Sequence, residues 1–275
     1  MNKRFLLLLL SVVCAGWVSA QESYRYLSLD MKRMEEVRAT EAGRSERAGW
    51  IKRADEQLKK GPYSVTYKKA LPPSGDKHDY ISMGPYWWPN PKTADGLPYV
   101  RRDGERNPER NKYSDASQLS KVIDGVFTLG NAYYYTNDER YAKKAFGLVD
   151  TFFVNPATRM NPNLKYGQFI PGICEGRGIG IIETRFMGRL LEGITLMHGA
   201  ESWDKHVYEG LKQWVGEYLN WLQTHPYGID ESKAHNNHGT YYDTQCVAMH
   251  LFLGQVDEAK RLIVESTQKR LQKQV

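Results

Sequence analysis

The feature that most limits the fold is a helical period that recurs along the chain with no strand period beside it. From residue 115 onward, apolar side chains return every three or four residues. Leu119, Val122, Ile123, Val126, Phe127 and Tyr133 mark one stripe over 115–135, and Tyr141, Ala145, Leu148 and Phe152 a second over 138–154. Ile182, Phe186, Leu190, Ile194 and Met197 mark a third over 179–198. Val207, Leu211, Trp214, Tyr218 and Leu222 mark a fourth over 203–223. This spacing gathers apolar side chains on one face of an α-helix. Further helices are expected over 24–60, ending at Gly61-Pro62, then up to Leu253, and again from Val256. No stretch alternates convincingly with period two. The expectation is an all-α chain of antiparallel helical hairpins.

Three irregular segments interrupt the helices, at 61–114, 155–178 and 224–240. The first holds eight of the twelve prolines, from Pro62 to Pro108. Proline removes backbone donors and is excluded from helix interiors, so this is a long loop. A loop of that length in a compact domain usually does something. It carries Trp87, Trp88, Arg101 and Arg102 among turn residues, and the second segment ends in a glycine-rich run containing Arg177. Flat rings stack on sugar faces and arginine forks onto carboxylates, so these residues are candidates for substrate binding. A purely structural role, pinning the loop to the core, stands beside that for the two tryptophans. If the helix pairs pack as a ring, the three segments gather at one end and line a shared cleft. The last helix ends at Val275 with no cap and no closing element, which reads as a fragment of a longer ring.

Residues 1–20 read as a secretory leader rather than fold: Lys3 and Arg4, an apolar run from Phe5 to Val13, then Val18-Ser19-Ala20 before cleavage at Gln21. The run is too short to span a bilayer. Bulky Val13 before Cys14 makes a poor lipid-attachment signal. The mature chain, 21–275, is therefore expected in the periplasm or outside the cell, as a monomer with no membrane contact after cleavage. There Cys174 and Cys246 could pair or stay as thiols. Net charge is +6, of which Lys3 and Arg4 leave with the leader. A mildly basic exported protein suits an acidic polymer. With no zinc finger, aromatic RNA-binding motif or long basic block, nucleic acid is not the expected partner.

The densest chemistry lies in Ala234-His235-Asn236-Asn237-His238-Gly239-Thr240-Tyr241-Tyr242-Asp243-Thr244-Gln245. Pro226-Tyr227-Gly228 before it reads as a turn, and the apolar run after it as a helix. The cluster thus sits at a helix entrance, where backbone N–H groups are free and favour anions. That chemistry fits β-elimination on a uronate. The C5 proton becomes acidic only when donors neutralise the adjoining carboxylate. A base must then take the proton, and an acid must protonate the departing C4 oxygen. Asn236, Asn237 and His238 supply donors, and Tyr241 or Tyr242 lies one turn on. Other readings remain open. His235 and His238 are three apart, but no HExxH or cysteine pair accompanies them, so no metal or cofactor is expected. Asp243 with Glu175 could form a hydrolase acid/base pair. Asn236 could simply cap the helix. A non-catalytic binder of acidic polysaccharide would carry the same cleft residues.

The sequence also resembles the alginate lyase family of the (α/α) toroid type, typified by mannuronate-cleaving periplasmic lyases. The resemblance runs from about Tyr80 onward and rests on PYWWPNP at 85–91, GLPYVRRDGERNPE at 96–109 and, above all, NNHGTYYDTQ at 236–245. It implies an incomplete (α/α) toroid with long cleft-lining loops and a polysaccharide lyase acting on alginate or a related polyuronate. It implies that Asn237 and His238 are catalytic, Asn237 neutralising the carboxylate and His238 neutralising it or acting as base. The aromatic just after the motif, Tyr241 or Tyr242, would line the cleft. The family's later Arg-Thr…Tyr segment, which supplies its principal acid/base, has no counterpart before Val275.

Overall fold

A computed structural model describes residues 26–274. The expected leader and its cleavage point lie outside them. Within them the chain is predominantly helical, and its helices run as successive antiparallel hairpins in a toroid-like array.

The stretch expected as one helix over 24–60 is two: α1 (Met31–Ala39) and α2 (Arg44–Leu58). Local side-chain bonding explains the break. Thr40 Oγ1 donates back to the Glu36 carbonyl at 2.7 Å and accepts from the Gly43 N–H at 3.3 Å. Such bonds compete with the helical ladder.

The proline-rich segment contains strands too short to leave a period: β1 (Ile81–Met83), β2 (Trp87–Trp88) and β3 (Val100–Arg101). Strand β2 pairs with β3 as an antiparallel ribbon. After α3 (Asp115–Thr136) and α4 (Glu139–Val149), β4 (Tyr166–Phe169) in the second irregular segment pairs in parallel with β1. The two loops are thereby stitched together over one end of the helices.

The helices then continue as α5 (Met187–Thr195), α6 (Lys205–Thr224), α7 (Pro226–Ser232), α8 (Asn237–Phe252), α9 (Val256–Leu262) and α10 (Gln268–Gln274). Two expectations need correction. Residues 178–184 form a 3₁₀ segment before α5, not α-helix. Pro226-Tyr227-Gly228 opens α7 instead of making a turn, since proline at the first helical position loses no hydrogen bond. His225 Nδ1 caps it by accepting from the Tyr227 N–H at 3.2 Å.

A cluster of aromatic rings lies at the centre of the core. Phe152, Phe153, Trp214 and Tyr218 are fully buried and pack edge to face or tilted at 4.7–5.2 Å between ring centroids. Trp214 Nε1 donates to the Met160 carbonyl at 2.7 Å, so burying its polar edge leaves nothing unpaired. Helices α3 and α5 meet backbone to backbone at two glycines. A Cβ on Gly193 would lie 2.8 Å from Phe127 Cα, and one on Gly130 would collide with the Gly193 carbonyl oxygen. Gly130→Ala is therefore expected to destabilise the fold by about 1–3 kcal/mol through overpacking, read as a lower urea midpoint with an unchanged m-value.

A buried ion pair fixes the first loop to the helix it precedes. Lys68 Nζ sits 2.5 Å from Asp115 Oδ2, and both side chains are fully excluded from solvent. The same lysine donates to the Asp79 carbonyl at 2.5 Å, and Asp115 Oδ2 also accepts from the Ile81 N–H at 3.0 Å. One pair thus ties the loop, strand β1 and the start of α3 together.

Candidate active site

The three irregular segments converge on a cleft of about 940 Å³. The corner between α7 and α8 forms its floor. Asn236 is the N-cap of α8, and its Oδ1 accepts from the His238 N–H at 3.0 Å. That leaves Asn237 and His238 in the first turn, lining the cleft where uncapped N–H groups and the helix dipole favour an anion. His238 Nδ1 lies 2.6 Å from Glu231 Oε1. Glu231, on α7, is 4% exposed, so its carboxylate is held almost out of water against the ring. With Nδ1–H donated to Glu231, the imidazole is fixed in orientation and its second nitrogen remains for a ligand.

The stitched loops form one wall. Arg177 donates from Nε to the Gln168 carbonyl at 3.1 Å and from Nη2 to Gln168 Oε1 at 3.0 Å. Gln168 holds a positive φ of 50°, uncommon for a residue with a side chain, and its N–H is anchored on Ser82 Oγ at 2.8 Å. Arg177 also stands over the Trp87 ring at 6.0 Å. Gly84 makes room for both, since a Cβ there would meet Trp87 at 2.8 Å and Arg177 at 3.0 Å. Burial pulls the Arg177 guanidinium below its ordinary pKa. Below it, Glu183 accepts from Tyr80 Oη at 2.7 Å and Ser82 Oγ at 2.5 Å. Removal from water pushes its carboxyl above the usual range. Arg101, Arg106, Arg110, Arg185 and Arg189 complete a lining with six arginines against three carboxylates, Asp124, Glu183 and Glu231. Nε of Arg110 is buried without a hydrogen-bond partner.

Of the residues singled out from sequence, Asn237, His238, Tyr241, Trp87, Arg101 and Arg177 line this one cleft. Tyr242, Trp88 and Arg102 do not. Neighbours on a helix point about 100° apart, so with Tyr241 in the cleft, Tyr242 turns into the core. There it is 6% exposed and donates to the Leu222 carbonyl at 3.0 Å. Neighbours on a strand point to opposite faces. Trp88 therefore leaves the cleft when Trp87 faces it, and donates from Nε1 to the Glu105 carbonyl at 3.0 Å. The Arg102 guanidinium lies 5.2 Å over the Trp88 ring, bracing the ribbon.

The hydrolase pair is not assembled. Asp243 is 1% exposed and ion-paired to Arg270 at 2.9 Å, while exposed Glu175 lines a separate groove beside Cys174. Cys174 and Cys246 are both free thiols, and burial pushes Cys246 up to about 12. Among the described residues, no group of three or more His, Cys, Asp or Glu side chains could hold a metal.

Sequence reasoning missed Glu231, Gln168, Glu183, Arg185 and Phe186 as cleft residues. The 179–198 stripe puts Phe186 on the apolar face of a helix, but it is 41% exposed. The 3₁₀ segment before it turns with three residues, not 3.6, and so shifts the face. Arg185 and Arg189, four apart, were a legible signal of two cations on one side.

A family model described as Alginate lyase matches residues 64–275. A crystal structure of an alginate lyase from Bacteroides ovatus superposes with a TM-score of 0.85 at 40% sequence identity. The match covers 90% of this chain and 66% of that one, so this chain spans somewhat less than two thirds of that protein. Among curated proteins none matches.

Proposed function

Since this chain belongs to the alginate lyase family, we propose that it binds an acidic polyuronate such as alginate and cleaves it by β-elimination. The observation that carries this reading is the pairing of an arginine-rich cleft with a histidine fixed by a buried glutamate at a helix N-terminus. Six guanidinium groups against three carboxylates give the cleft lining an excess of positive charge. A polyanion is drawn in by them and oriented, since arginine forks match carboxylate geometry. At the reacting unit, Asn237, the first-turn N–H groups of α8 and His238 neutralise the carboxylate. Charge that builds up as the C5 proton leaves is then spread over fixed donors. A base in the cleft takes the C5 proton, the C5–H electrons become the C4=C5 double bond, the C4–O bond breaks with its electron pair going to the oxygen, and an acid in the cleft protonates that oxygen. Tyr241, one turn beyond His238, and Tyr86 are the phenols that the described residues offer for proton exchange in the cleft.

Glu231 acts through His238. It holds the ring in place and balances its charge, much as second-sphere carboxylates orient histidines elsewhere. Glu231→Gln keeps the shape and a hydrogen bond but loses the charge, so kcat is expected to fall about tenfold with KM little changed. The reading itself is tested by ultraviolet absorbance of the unsaturated product on adding alginate, polymannuronate or glucuronan. A rise with at least one polymer is expected, and no rise with any of the three defeats it. The protein's export to the periplasm or beyond is part of the proposal and rests on the leader-like residues 1–20. Western blotting of periplasmic and cytoplasmic fractions checks it.

A further inference from the structure

The corner between α7 and α8, which leads into Asn237 and His238, is held by an arginine from outside the cleft. Arg270 stands on α10 and borders a groove with Lys233, His235 and Lys269, not the cleft itself. Its side chain is largely buried and reaches four oxygens. Nε donates to Asp243 Oδ2 at 2.9 Å, and Nη2 to Asp243 Oδ1 at 3.2 Å. Nη2 also donates to the Ser232 carbonyl at 2.7 Å, and Nη1 to the Ala234 carbonyl. Asp243 belongs to α8, Ser232 ends α7, and Ala234 lies in the corner between them. Gly239, directly after His238, makes room. A Cβ there would collide with the guanidinium and with the Ala234 carbonyl oxygen.

The last carbonyls of a helix have no partner within it and carry the negative end of its dipole, so a guanidinium is well matched to them. Here the same guanidinium grips a carboxylate about one and a half turns beyond His238 on α8. A rigid planar group therefore spans both helices and fixes the end of α7 against α8. Glu231 is the residue before Ser232, and its carboxylate meets His238 Nδ1 at 2.6 Å across that same junction. A shift of about 1 Å between the helices would break a contact of that length or turn the imidazole. We propose that Arg270, paired with Asp243, is a positioning residue for the elimination: it sets the Glu231–His238 contact, and through it the imidazole, without touching substrate. Its effect on turnover rests on the polyuronate reading above; its hold on His238 does not. Asp243 thereby serves the site although it never reaches the cleft.

The test joins NMR with kinetics on the full chain. With isotope-labelled histidine, the His238 Nδ1–H held by a buried carboxylate should give a downfield proton signal, assigned by its loss in His238→Ala. Arg270→Lys keeps a charge facing Asp243 but loses the fork, since the three donors of an ammonium cannot span four oxygens. Arg270→Gln/Asp243→Asn removes both charges together, so no buried ion is stranded and the fold should hold. Both variants should move or broaden the His238 signal while the backbone amide spectrum stays that of a folded chain. Both should lower kcat about fivefold with KM little changed. In a Glu231→Ala background the route through Glu231 is gone, and the same changes should lower kcat by less than about twofold more. An unchanged His238 signal in both variants, or its absence from the unaltered protein, overturns the clamp. So does the full fivefold loss in the Glu231→Ala background, which would mark a general effect on the fold. If no polymer yields product while the signal responds as expected, the clamp on His238 stands and the polyuronate reading alone falls.

Discussion

Replacing His238 with alanine is expected to cut formation of unsaturated product by about 100- to 1,000-fold, with helical circular dichroism unchanged. Two losses combine. The imidazole no longer helps to neutralise the uronate carboxylate, so negative charge has less to meet as the C5 proton leaves. The Glu231 carboxylate, 4% exposed, also loses its partner and faces an anionic substrate. The double variant Glu231→Gln/His238→Ala should therefore bind polymer more tightly than His238→Ala alone, although it remains as slow. The fold should hold in both. His238 is in the first turn of α8, and the cap that starts this helix belongs to Asn236. Steady-state kinetics on a uronate polymer, with affinity measured separately, distinguishes the two contributions.

The largest effect on stability is expected at Lys68. Lys68→Met leaves Asp115 buried with the Ile81 N–H as its remaining donor to Oδ2. Breaking a fully buried pair from one side costs about 3–5 kcal/mol, because a charge stays behind without compensation. Burial already works against both partners, pulling the lysine below its ordinary pKa and pushing the aspartate above its own. Asp115 Oδ1 has no hydrogen-bond partner, so the pair is itself imperfectly satisfied. Lys68→Met/Asp115→Leu should consequently be more stable than Lys68→Met, and urea unfolding of the three proteins measures the difference. Because this pair ties strand β1 to α3, the single variant should also loosen the loop wall that carries Trp87 and Arg177.

The helices were legible because their stripes are long and repeat. The four stripes at 115–135, 138–154, 179–198 and 203–223 each meet helical structure, and Asn236 caps α8 at the entrance expected for it. The misreadings have local causes. Thr40 breaks a helix by bonding to its own backbone, and Pro226 starts one because its missing N–H costs nothing there. Strands of two to four residues carry no measurable period, so the pairings that join the two loops could not be seen. At the site, residue type was readable but direction was not. Tyr241 and Tyr242 are equal as letters, as are Trp87 and Trp88. Only the rotation of a helix and the alternation of a strand decide which of each pair enters the cleft. Glu231 was hidden for another reason. Seven residues before His238 and on an unrecognised helix, it becomes a partner only once α7 folds back on α8.

The proposed elimination of uronate polymers in the cleft leaves a signature that hydrolysis and simple binding do not. The most direct measurement counts two things in one digest: new reducing ends, and the ultraviolet chromophore of the C4=C5 double bond. Elimination predicts one chromophore for every new reducing end, with both lost in His238→Ala. New reducing ends without the chromophore, or polymer bound with neither product formed, would contradict it.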